Sequence, residues 1–261
     1  MAYTTIDKPT DYFNTVLNTG NNTSPKAITG FGFQPDLVWS KTRTSGNNHT
    51  LFDSVRGAGA NKELISNDTV AEGSGLTGTY GYISAFDSDG FTAITGSVNF
   101  AYLNNSGDTY VNWGWLAGGS ASSNSNGSIT SSVSANTTAG FSVVSYTGTG
   151  ANATVGHGLG VAPKMFIVKN RSTATNWHVY HHKNTSAPET DYLLLNTTNA
   201  TADNSIVWND TAPTSSVFSI GTTDGTNKNT SNMIAYCFAE KKGYSKFGSY
   251  TGNGNADGTF V

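Results

Sequence analysis

Asp36-Leu37-Val38-Trp39-Ser40-Lys41 is a short apolar run entered from Pro35 and framed by polar residues. The chain writes it again 128 residues later as Lys164-Met165-Phe166-Ile167-Val168-Lys169, entered from Pro163. Runs of this length and framing read as buried strands. Outward from them the same offset holds: Phe13 meets Phe141, Gly20 meets Gly148, Arg43 meets Arg171, and Leu51-Phe52 meets Val179-Tyr180. Towards the ends the register drifts, and Val111-Asn112-Trp113-Gly114-Trp115 lies against Ile234-Ala235-Tyr236-Cys237-Phe238. Agreement at apolar and glycine positions, with free variation between, is what two copies of one fold leave behind. The offset is too long for a solenoid unit, so each copy is expected to be a domain with its own core.

Strand signals dominate the remainder, at 109–115, 176–181, 192–195, 216–220 and 233–239. Asp87-Ser88-Asp89-Gly90 sits between Phe86 and Phe91 and reads as a hairpin loop, and Thr223-Asp224-Gly225-Thr226 reads likewise. No capped amphipathic helix is evident. The expected fold is all-β: two tandem homologous β-sandwich domains, jelly-roll or lectin-like, at 1–117 and 140–242. Between them 118–139 is rich in Gly, Ser and Asn and reads as a linker. Gly243-Tyr244-Ser245 echoes Gly140-Phe141-Ser142, and Ser249-Tyr250-Thr251-Gly252 echoes Ser145-Tyr146-Thr147-Gly148. The segment 243–261 therefore reads either as the start of a third repeat or as an extra strand on the second.

Only 12% of residues are charged and the net charge is −3, with no basic stripe, which argues against nucleic-acid binding. No apolar run is long enough to span a membrane, and the N-terminus lacks the pattern of a signal peptide. Cys237 stands alone inside an apolar run and reads as a buried structural thiol.

Several phrases are long enough to carry a resemblance. Ala2-Tyr3-Thr4-Thr5-Ile6-Asp7-Lys8-Pro9, Gly32-Phe33-Gln34-Pro35-Asp36-Leu37, Phe52-Asp53-Ser54-Val55-Arg56-Gly57-Ala58 and Phe86-Asp87-Ser88-Asp89-Gly90-Phe91 resemble virion structural proteins of marine tailed phages. The second unit, at Gly156-His157-Gly158-Leu159-Gly160 and Ala235-Tyr236-Cys237-Phe238-Ala239-Glu240, is similar to the same repeat-containing proteins. Similar proteins run on past the point matching Val261, which implies a longer parent. A Cys is usual where Gly114 stands. The resemblance implies a non-enzymatic protein of the phage particle surface, made in the host cytoplasm, with a tail fibre or spike as the leading role in host recognition. A capsid decoration or cement protein is the alternative, and a glycan-degrading depolymerase a third. Implied partners are other virion proteins and a host cell-surface glycan or protein, with a homotrimer as the assembly.

No catalytic residue or cofactor emerges from the sequence. There is no nucleophile elbow, the carboxylates are scattered over turns, and the glycine-rich 156–160 precedes a strand instead of a helix. The shared Lys-X-Arg at Arg43 and Arg171 reads as a loop anchor. His178 and His182 would share a face of one strand and are weak metal candidates, needing a third ligand. Asp87 and Asp89 resemble the start of a calcium loop without its later acidic ligand. Ligand binding is expected instead at aromatics outside the shared pattern. Trp177, Tyr180, His181 and Trp208 would form an exposed shelf for stacking sugar rings, against a core role for the same residues.

Overall fold

The computed structural model describes residues 4–259. Met1, Ala2 and Tyr3, part of the phage-like opening, lie outside the described residues, as do Phe260 and Val261. The fold is all-β. Its first half runs β1 (Phe13–Thr19), β2 (Lys26–Thr29), β3 (Leu37–Thr42), β4 (Thr50–Asp53), β5 (Leu64–Ile65), α1 (Thr77–Tyr80), β6 (Tyr82–Asp87), β7 (Gly90–Ile94) and β8 (Thr109–Trp115). There follow β9 (Ser122–Asn124), β10 (Ser131–Asn136), β11 (Phe141–Thr147), β12 (Ala153–Gly156), β13 (Met165–Asn170), β14 (His178–His181), β15 (Asp191–Leu194), β16 (Ala202–Asp203), α2 (Ser205–Trp208), β17 (Val217–Ile220), α3 (Asp224–Asn227) and β18 (Asn232–Phe238).

One strand order recurs in two sheets. One sheet is β1-β8-β3-β4-β5, and the larger sheet contains β15-β14-β13-β18-β11, the same order with equivalent strands. Each is antiparallel throughout. The small sheets correspond too, β2 pairing β7 as β12 pairs β17. One buried asparagine in each half makes the equivalence atomic. Asn104 accepts from the Asn21 amide at 3.2 Å and donates to the Thr23 carbonyl at 3.0 Å. Asn227 accepts from the Thr149 amide at 2.8 Å and donates to the Ala151 carbonyl. Beside them Gly20 and Gly148 lie so close to this turn that a Cβ would fall 1.9 Å from the Asn105 carbonyl oxygen or 2.3 Å from that of Lys228. Only glycine allows that approach.

Period-two alternation divides each central strand between two interiors. In β3, Val38 joins Ile28, Phe52, Ile83 and Phe91 between the five-stranded sheet and the β2-β7-β6 sheet. In β13, Phe166 and Val168 join Phe218, Trp208 and Val144 against the β12-β17 pair. The intervening residues, Leu37 and Ile167, meet in a third cluster with Leu51, Phe141, Trp177 and Tyr236, so the two large sheets pack against each other.

Three expectations are corrected. The stretch 118–139, read as a linker, carries β9 and β10, which extend the large sheet beyond β11. Its small residues serve close packing instead of flexibility: a Cβ on Gly118 would lie 2.6 Å from the Ala135 carbonyl oxygen and one on Gly127 2.3 Å from that of Thr154. Residues 223–226, read as a hairpin loop, enter α3, because the chain must turn inward there to present Thr226 and Asn227 to the core. The segment from 243 adds no strand to the second half among the described residues. A single bridge joins Lys241 to Ser245, and β10 already occupies the free edge of β11. The Asp87–Gly90 hairpin between β6 and β7 is as expected.

Candidate functional site

Of the two readings of these aromatics, shelf and core, the structure bears out the core. Trp177, Tyr180 and Trp208 are 0%, 3% and 1% exposed. Tyr180 stacks on Phe166 with centroids 4.8 Å apart, Trp208 meets Phe166 edge-on at 4.9 Å, and both indole N–H groups are satisfied within the fold. Tyr180 stands where the first half has Phe52, which is also buried, and Trp177 and Trp208 fill core space.

The metal candidates are also accounted for. Among the described residues no group of three or more His, Cys, Asp or Glu is placed to hold a metal. His178 is buried, its ring tilted 40° against Tyr192 at 5.5 Å and pressed against Gly225, where a Cβ would lie 2.1 Å from its ring. Burial first, with Lys169 adding to it, pushes its pKa down to about 4. His182 lies just beyond β14, its Nε2 3.0 Å from the Phe247 carbonyl and 3.7 Å from Glu240. His181 is half-buried beside it. Asp87 accepts from Thr92, and Asp89 accepts from the Gly30 and Gly32 amides at 3.1 and 2.6 Å. Asp87 thus braces the hairpin itself, and Asp89 ties it to the β2–β3 loop.

A buried ionic hub stands out that sequence reading missed. Asp53 at the end of β4 pairs with Arg56 at 2.5 Å, both side chains 0% exposed. Arg56 also reaches Glu72 at 3.3 Å, the Lys62 carbonyl, and the Leu51 carbonyl at 3.3 Å. Burial opposes the guanidinium charge, but Asp53 leads the groups that outweigh it and hold its pKa above the ordinary value. From the other half, Tyr236 donates to Asp53 at 2.7 Å and Arg171 pairs with Glu72 at 2.5 Å. Nearby, Lys169 donates to the carbonyls of Thr69 and Thr175 at 2.8 and 2.5 Å, and Trp177 donates to that of Ile65 at 2.9 Å. Each carboxylate is committed to a cation or a hydroxyl, so the hub locks one half to the other. The sequence signal was Asp53-Ser54-Val55-Arg56, an acid and a base three apart at the mouth of a strand. The shared Lys-X-Arg divides: Lys169 and Lys41 anchor loops, Lys41 through the Ser45 carbonyl at 2.9 Å, while Arg171 bridges the halves and Arg43 is exposed.

A cleft of about 410 Å³ opens where the halves meet, lined by Trp39, His49, Ser66 and Asn67 from the first and Leu195 to Thr198 from the second. β3 delivers Trp39 on the face of its sheet shared with Leu37, and Trp113 of β8 lies opposite, edge to face at 6.2 Å. Both rings are half-exposed. The Trp39 Nε1 has no hydrogen-bond partner. The amides are held in place: Asn67 accepts from the His49 amide at 2.9 Å, and Asn196 accepts from the Trp177 amide at 2.9 Å. Burial, then the neighbouring Lys41, lowers the His49 pKa, keeping the ring neutral at pH 7. The lining is thus uncharged, aromatic on one side and rich in amides and hydroxyls on the other. Such a surface can stack a ring and hydrogen-bond its substituents. Sequence reading missed it because Trp39 sits inside the shared strand phrase. The alternation Leu37, Trp39, Lys41 was the available signal, since a lysine on the tryptophan face marks that face as reaching solvent.

Among the described residues no helix is long and apolar enough to cross a membrane. No curated protein and no solved structure matches the chain. Residues 8–261 match the family model described as Domain of unknown function (DUF7483), and the chain belongs to that family.

Proposed function

We propose that the chain is a non-enzymatic surface protein of a phage particle, a tail fibre, spike or similar receptor-recognition component, and that it grips a neutral host glycan at the Trp39 cleft. The observation that carries this reading is the half-buried Trp39 ring, set among uncharged hydrogen-bonding residues. The phage-like phrases support the virion setting. Two homologous jelly-roll or lectin-like sandwich domains, matched strand for strand, would make a rigid display body, and threefold assembly with other virion proteins would multiply its contacts. The committed carboxylates of the ionic hub favour contact over turnover.

A capsid decoration role is the second reading. It is favoured by residues 248–259, which lie exposed along their whole length and suit contact with neighbouring shell subunits. Antibody labelling of particles under the electron microscope separates the two, since tail and shell decorate differently. Adsorption then tests recognition. Purified protein should compete with particles for host cells, and Trp39→Ala should not. Labelling absent from particles, or equal competition by the variant, overturns the reading. New reducing ends from host polysaccharide would restore the depolymerase reading instead.

A further inference from the structure

We infer that the interface between the two large sheets holds a second, separate binding site, for a small neutral aromatic or aliphatic molecule. A cavity of about 320 Å³ lies there. Equivalent positions of the two halves face each other around it: Phe13 with Phe141, Leu37 with Met165, and Trp115 with Phe238. The rings form a continuous wall, Phe13 on Trp115 at 4.8 Å and Phe141 on Phe238 at 5.0 Å. Trp39 lines both this cavity and the cleft outside it. No charged side chain lines the cavity, so an ion would enter undressed and a neutral apolar guest would not. Apolar cavities of roughly half this size stay dry and accept a single aromatic ring, and ligand pockets begin at about this volume.

Tyr244, Ser245 and Phe247 line one side of it, and the cavity is partly open to solvent. This is the segment whose wording repeats a strand opening, yet it runs across the cavity instead of pairing. The Lys241–Ser245 bridge and the Tyr244 amide's bond to the Lys241 carbonyl at 2.9 Å fasten it to its own turn, and side-chain contacts fasten it beyond. The Phe247 amide donates to Glu240 at 3.0 Å, its carbonyl meets His182 at 3.0 Å, and Ser245 donates to the Ala239 carbonyl at 3.2 Å. Gly243 at φ +76° and Gly248, with open space around it, flank the strap. The inference does not depend on the virion reading.

The test uses the whole protein with its methionine methyls labelled with carbon-13 and 2-naphthol as the probe, at pH 7, where it is neutral. Met165 lines the cavity, whereas Met233 lies in the core beyond β18 and serves as the control. The Met165 methyl resonance should shift saturably with one probe per chain while that of Met233 stays in place. Ile167→Trp, which puts at this position the residue its equivalent Trp39 already carries, should fill the space and abolish the shift. An unmoved Met165 at saturating probe, or equal movement of both methyls, overturns the inference. If the variant does not fold, the wild-type comparison of the two methyls decides alone.

Discussion

His178 makes the fold acid-sensitive in a way that can be isolated. Its ring is 8% exposed, packed between Tyr192 and Gly225, and its Nδ1 has no hydrogen-bond partner. A proton added there would charge a ring that solvent cannot reach, so the folded pKa falls from 6.5 to about 4, chiefly through burial. Above pH 6.5 the ring is neutral folded or unfolded, and it costs nothing. Between pH 6.5 and about 4 the unfolded chain takes up the proton and the folded chain does not, so stability falls with pH across that window. At about 1.4 kcal/mol per pH unit the loss from this group approaches 3 kcal/mol by pH 4. His157 and Asp108 add their own slopes, so the measurement is a difference. Urea unfolding of wild type and His178→Leu, followed from pH 7 to pH 4, should show the variant losing about 3 kcal/mol less over the interval. Parallel pH profiles would refute the assignment, whatever the offset between them.

Three other outcomes follow from the packing. Arg56→Leu leaves the buried Asp53 carboxylate without its cation, while Glu72 keeps Arg171, and urea unfolding should show a loss of about 3–5 kcal/mol, more than from exposed Arg43→Leu. Gly148→Ala drives a methyl to within 2.3 Å of the Lys228 carbonyl oxygen, so thermal unfolding should report a loss of about 1–3 kcal/mol. Cys237 is fully buried and its thiol is pushed far above the ordinary value by burial, so a thiol reagent should label it only after denaturation.

The strands were legible because Pro35 and Pro163 open them and the apolar runs close within six residues. The repeated phrases were legible because buried positions cannot drift: Phe13 and Phe141, or Gly20 and Gly148, each answer to a fixed neighbour. What could not be read was which side of a buried strand faces which interior. A run such as Leu37-Val38-Trp39 is apolar on both faces, so it conceals that Val38 fills one half while Leu37 meets the other. The third cluster, the ionic hub and the Trp39 cleft all follow from that hidden face. The 118–139 stretch misled for a related reason. Serine and glycine in β10 and its approaches are chosen for closeness, Ser131 donating to the Gly156 carbonyl at 2.9 Å, and composition alone cannot separate closeness from looseness. In the second half, Trp177 and Trp208 departed from the repeat because they fill space, not because they greet solvent.

Contact at the Trp39 cleft is tested most directly by titrating neutral oligosaccharides from a host cell surface against intrinsic tryptophan fluorescence. Wild type should give a saturable change, and Trp39→Ala should weaken the binding at least about tenfold while keeping the native circular dichroism. Saturation by the variant at the same concentration as wild type, or a flat response from both, would contradict the account.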